Sequence, residues 1–112
     1  MLSEDIEKLE KVLEARGYKK IGCCKATEND DYEWYKAFRD ENGELKYQIF
    51  FEIWDFRKYG AQHIGVSVTV MPESVKDGVG RRDLKMSVTW TDDIERVEKT
   101  AEKFYDFVKS ID

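Results

Sequence analysis

The sequence predicts an α+β fold: an antiparallel sheet of about five strands in meander order, flanked by an N-terminal and a C-terminal helix packed on one face. Three observations carry the prediction. Apolar residues recur at about 3.6 positions up to Gly17, switch to a period of 2 from Tyr18 to Trp90, and return to the helical period after Thr91. The strand-like stretch is punctuated at Asn42-Gly43, a pair that tolerates positive φ and joins adjacent antiparallel strands. No composition break, repeat or linker interrupts the chain, so residues 1–112 read as a single domain.

The first helix is signalled by SEDIEKLEKVLEARG. Ser3 can cap it, Glu4 and Asp5 lie at the positive end of its dipole, and Gly17 ends it. Leu2, Ile6, Leu9, Val12 and Leu13 form its apolar stripe, with the pairs Glu4–Lys8 and Glu7–Lys11 on the wet side. Strands are expected near 18–26, 32–39, 45–56, 62–71 and 84–90. In the fourth, Ile64, Val66, Val68 and Val70 alternate with His63, Gly65, Ser67 and Thr69; in the fifth, Leu84, Met86, Val88 and Trp90 alternate with Lys85, Ser87 and Thr89. The polar series of both should face water. The last helix, capped by Thr91 and about six turns long, presents Ile94, Val97, Ala101, Phe104, Tyr105, Val108 and Ile111.

The third strand breaks the pattern of one wet face. In KYQIFFEIWDFRKY, Tyr47, Ile49, Phe51 and Ile53 leave one side, and Phe50, Trp54 and Phe56 leave the other. Both sides are aromatic, whereas a solvated sheet face requires no such rings. Which residue of the second strand joins Phe50 depends on the hairpin. A two-residue turn at Asn42-Gly43 sets Trp34 opposite Phe51 and Tyr35 opposite Phe50; a three-residue loop ending at Gly43 sets Trp34 opposite Phe50. Phe50, Trp54, Phe56 and Trp34 are the candidate partner-binding residues.

Other constellations offer less. The single histidine, His63, and Cys24 would make a nucleophilic pair only within hydrogen-bond reach, and they fall on strands that are not neighbours in a meander. One histidine and two adjacent cysteines supply no metal-binding spacing, and ENDDYE lacks the glycine and terminal glutamate of a calcium loop. No catalytic residue, cofactor or metal is therefore assigned. The loop PESVKDGVGRRD is long for a strand connection; Arg81 and Arg82 at its end are candidates for gripping a carboxylate or phosphate, but Gly78-Val79-Gly80 is no phosphate cradle because a strand follows it.

Composition narrows the function classes. The net charge is −5, and it is uneven: residues 1–56 carry nine Lys/Arg against fourteen Asp/Glu, while residues 57–112 carry ten against ten. Such a chain repels phosphate backbones and anionic lipid, which argues against nucleic-acid and membrane partners. The N-terminus is acidic where a signal peptide would be basic and then apolar, and Cys23 and Cys24, adjacent on a strand, cannot readily pair. Together these place the chain in the cytoplasm with reduced thiols. The reading is a non-catalytic protein-binding module, of the inhibitor, immunity-protein or chaperone kind, that meets another protein or a second copy of itself. The alternatives are a single-stranded nucleic-acid or small-ligand binder through aromatic stacking, or an enzyme of unknown class.

Overall fold

The computed structural model describes residues 3–21, 32–56, 61–70, 82–88 and 94–111, with side chains described at all of these except 3–6, 32, 53–56, 61–64 and 88. Helix α1 spans Ser3–Ala15 and helix α2 spans Ile94–Ile111. Between them lie β1 (Lys19–Ile21), β2 (Tyr32–Arg39), β3 (Leu45–Phe56), β4 (Ala61–Val70) and β5 (Arg82–Val88). Every neighbouring pair is antiparallel and the spatial order is β1-β2-β3-β4-β5. This is the α+β meander expected from the change of period. Residues 22–26 of the expected first strand, Thr91, and the cysteines Cys23 and Cys24 lie outside the described residues.

Helix α1 ends where Gly17 takes φ of +89°, a conformation that costs a residue without Cβ little. Tyr18 N–H then donates to the Leu13 carbonyl at 2.9 Å and Gly17 N–H to the Glu14 carbonyl at 3.0 Å, which satisfies two carbonyls of the last turn. The reversal drops Tyr18 beside Leu13 in the core. Both helices cover one face of the sheet. Leu9 and Leu13 of α1, and Ile94, Val97, Ala101 and Val108 of α2, join Trp34, Tyr47, Ile49, Phe51, Val66, Val68 and Val70 in one buried cluster. Val12 and Ile111, expected in the two apolar stripes, are instead 38 % and 61 % exposed. Among the described side chains of α1, Leu9 and Leu13 are buried, and Ile111 sits in the last turn of α2, past the buried Val108. The described part of helix α2 has 18 residues, five turns.

The hairpin between β2 and β3 combines both closures considered above. Asp40 N–H donates to the Glu44 carbonyl at 2.8 Å and Gly43 N–H to the Asp40 carbonyl at 3.0 Å, leaving Glu41, Asn42 and Gly43 as a three-residue loop. Only Gly43 uses positive φ, +81°. The Asp40 carboxylate accepts from Asn42 N–H at 2.8 Å and Glu44 N–H at 3.0 Å. Beyond the loop the register slips: Arg39 pairs with Leu45, but Phe38 pairs with Tyr47, so Lys46 is an extra residue on β3. Loop and bulge cancel. The ladder continues as Trp34 opposite Phe51 and Tyr35 opposite Phe50, the register of a two-residue turn.

The bulge has a second effect. Two successive residues, Lys46 and Tyr47, reach the same carboxylate on α2: Lys46 Nζ donates to Glu102 Oε1 at 2.5 Å and Tyr47 O–H to Glu102 Oε2 at 2.6 Å. In a regular strand such neighbours diverge. Burial alone would raise the Glu102 carboxyl; the hydrogen bonds from Lys46 and Tyr47 and the Lys46 charge outweigh it and hold the group below the usual carboxylate range. The Tyr47 ring stacks on Phe38 at 4.8 Å and leans on Tyr105 at 5.8 Å. Helix α2 is thus pinned at mid-length, while Arg16 Nε binds Glu98 at 2.5 Å one turn earlier. Among the described residues no helix is long and apolar enough to cross a membrane.

Candidate functional site

The face of the sheet away from the helices is covered by no described element. Its side chains form rows set by the ladder. One row runs Ile21, Glu33, Glu52, Gly65, Ser87 from β1 to β5; the next runs Lys19, Tyr35, Phe50, Ser67, Lys85. A third holds Ala37, Gln48, Thr69 and Asp83. Positions on β2, β3 and β4 are half-buried, and Lys85 and Ser87 on the edge strand are exposed.

At the centre, the Tyr35 and Phe50 rings lie 5.1 Å apart at 42°, and Gln48 Nε2 donates to the Tyr35 hydroxyl at 3.2 Å. These contacts give the pair a fixed geometry. Gly65, lacking a side chain, leaves a depression of about 270 Å³ beside Glu52, bounded by Ser67, Lys85 and Ser87. Glu33 and Glu52 are directly opposite one another. Like charges so placed repel, and the Glu33 carboxyl is held above its ordinary value by burial and then by the Glu52 charge.

This has a consequence for stability. A carboxyl raised in the folded state contributes stability in full below its unfolded value, and loses that contribution as pH rises through the folded value. Glu33→Gln is therefore expected to raise the Tm at neutral pH by about 1–3 °C, the equivalent of a few tenths of a kcal/mol. At a pH below about 4 the two proteins should melt together. Thermal unfolding at the two pH values checks this; a variant less stable at neutral pH would show that Glu33 is not repelled.

The residues singled out in the sequence divide three ways. Phe50 takes its expected place on the outer face. Trp34 does not: it is 6 % exposed in the core, with its indole N–H donating to Glu10 of α1 at 3.2 Å. Tyr35 holds the outer position instead, because the extra residue on β3 undoes the slip that a three-residue loop would cause. Trp54 and Phe56 stand in register opposite His63 and Ala61, with all four side chains outside the described set. Arg81 also lies outside it, and Arg82 pairs with the core-facing Val70, apart from the outer rows.

Two features were missed by sequence reasoning, the Glu33–Glu52 pair and the Glu102 anchor. Both depend on partners far apart in the chain that only the register or the helix docking brings together. Among the described residues no three His, Cys, Asp or Glu side chains gather around a common point where a metal ion could be held. No protein-family model matches the chain, and no curated protein or solved structure matches it.

Proposed function

We propose that the chain is a non-catalytic protein-binding module, comparable in kind to inhibitors, immunity proteins or chaperones, that docks another protein or a second copy of itself on the outer face of its sheet. The observation that carries this reading is the Tyr35–Phe50 pair, held in a defined geometry on the face opposite both helices. A sheet face meant only for water gains nothing from two large rings at its centre. Covering the part of the pair that stays exposed would remove up to about 100 Å² of apolar area from water, on the order of 2 kcal/mol before association costs. Trp54, which the alternation of the β3 sequence assigns to the same series as Phe50, is the second residue of this reading. Net acidity and two adjacent cysteines that cannot readily pair with each other make the cytoplasm the compartment of this reading.

Phe50→Ala and Trp54→Ala are the test. Each is expected to leave the melting of the isolated chain within a few degrees of wild type while weakening self-association in sedimentation, or retention of whatever co-purifies with the protein from its own cells. If both substitutions destabilise a chain that stays monomeric at every concentration, the outer face is a second core and the reading fails.

A further inference from the structure

The Glu33–Glu52 pair gives the outer face a chemical preference. The two carboxylates are half-buried, directly opposed, and among the described residues neither has an ion-pair or hydrogen-bond partner. Among the described residues the cations of this face lie in the row below, and Lys85 also borders the depression beside Glu52 without forming an ion pair with it. Lys19 and Lys85 occupy the two ends of that row, on β1 and β5, with Tyr35, Phe50 and Ser67 between. The centre of the face therefore presents two carboxylates that have no ion-pair partner among the described residues beside a pair of aromatic rings, with the Gly65 depression open next to Glu52.

We propose that this centre receives the guanidinium group of an arginine from the partner protein, stacked on Phe50 and Tyr35 with its N–H groups directed at Glu33 and Glu52. The proposal rests on the outer face being a docking surface, and it names what that surface selects. A guanidinium is planar, weakly hydrated and carries five donors, so it can lie on a ring and reach carboxylates at the same time; an ammonium is a compact, strongly hydrated point charge. Binding would also relieve the repulsion that the free protein carries, so the pair's cost in the isolated chain becomes a contribution to the complex. A metal ion would find two carboxylates and no third ligand among the described residues. A phosphate-bearing partner would be repelled.

The experiment uses a blocked Gly-Arg-Gly-Arg-Gly peptide, its citrulline counterpart and its lysine counterpart, each titrated into the full ¹⁵N-labelled chain. The arginine peptide is expected to shift the backbone amides of Glu33, Tyr35, Phe50 and Glu52. Affinity should fall at least tenfold with citrulline, with the double variant Glu33→Gln/Glu52→Gln, and at high salt, and severalfold with lysine. The double variant should fold, since it removes a repulsion, and its amide spectrum shows whether it does. Absence of binding, shifts elsewhere on the chain, or equal binding by the citrulline peptide or the double variant would overturn the proposal. Equal binding by lysine would overturn the choice of guanidinium. The two readings fail separately: if Phe50→Ala abolishes association and Glu33→Gln/Glu52→Gln leaves it intact, the docking face stands and its arginine preference falls.

Discussion

Phe51→Ala is expected to lower the unfolding free energy by about 3–5 kcal/mol, the range for a fully buried phenylalanine cut back to a methyl group. Phe51 has no exposed surface; its ring meets Tyr18 edge-on at 5.4 Å and 85°, and its backbone pairs with Trp34 on one side and Val66 on the other. It lies on the central strand inside the buried cluster, where Trp34 and Val66 on the flanking strands and Tyr18 just past α1 constrain each other and the cavity cannot easily collapse. At roughly 4 °C per kcal/mol for a chain of this size, the Tm should fall by about 12–20 °C. Urea unfolding should show the midpoint falling with little change in slope. Phe50, its neighbour in the chain, is expected to show almost none of this loss. A Phe51→Ala protein within about 1 kcal/mol of wild type would mean that the two faces of β3 are assigned the wrong way round.

Trp34→Ala should cost a similar amount, about 3–5 kcal/mol, and should do so without a specific effect on association. The indole is held between β1 and β3, opposite Lys20 and Phe51, and ties the sheet to α1 through Glu10, which also carries Lys20 at 3.5 Å. Truncation opens a cavity beneath α1 and removes the donor from a carboxylate. Trp34→Phe, which keeps most of the packing and loses the hydrogen bond, should cost less than half as much. Below its lowered Tm, the folded Trp34→Ala protein should still associate as wild type does. Wild-type stability combined with lost association would return Trp34 to the binding surface.

The contrast between Phe51 and Trp34 marks how far this fold can be read from its sequence. Alternation within β3 assigns Tyr47, Ile49 and Phe51 to the core and Phe50 to the outer face without reference to any other strand, because the pleat has a fixed period. The same is true of Val66, Val68 and Val70 on β4. Trp34 and Tyr35 are adjacent large aromatics, so local pattern favours neither, and the choice falls to a single extra residue on the far side of the hairpin loop. Lys46, which supplies it, has no local signature of a bulge. The stripes of α1 and α2 identify the buried faces through Leu9, Leu13, Ile94, Val97, Ala101 and Val108, but include Val12 and Ile111 because periodicity does not record where the sheet stops. The Glu33–Glu52 pair is invisible for the same reason as Trp34: nineteen positions separate two carboxylates that only the register makes neighbours.

The cancelling loop and bulge leave the hairpin unusually tolerant of length variation. Removing Lys46 would turn the step from Arg39–Leu45 to Phe38–Tyr47 into an ordinary ladder and leave every deeper pair unchanged. Removing Glu41 would leave Asn42-Gly43 as a two-residue connection between Asp40 and Glu44, the pair best suited to that turn. Either deletion keeps Trp34 opposite Phe51 and Tyr35 opposite Phe50, so relatives of this chain can gain or lose a residue at the hairpin end by single steps without turning β2 over.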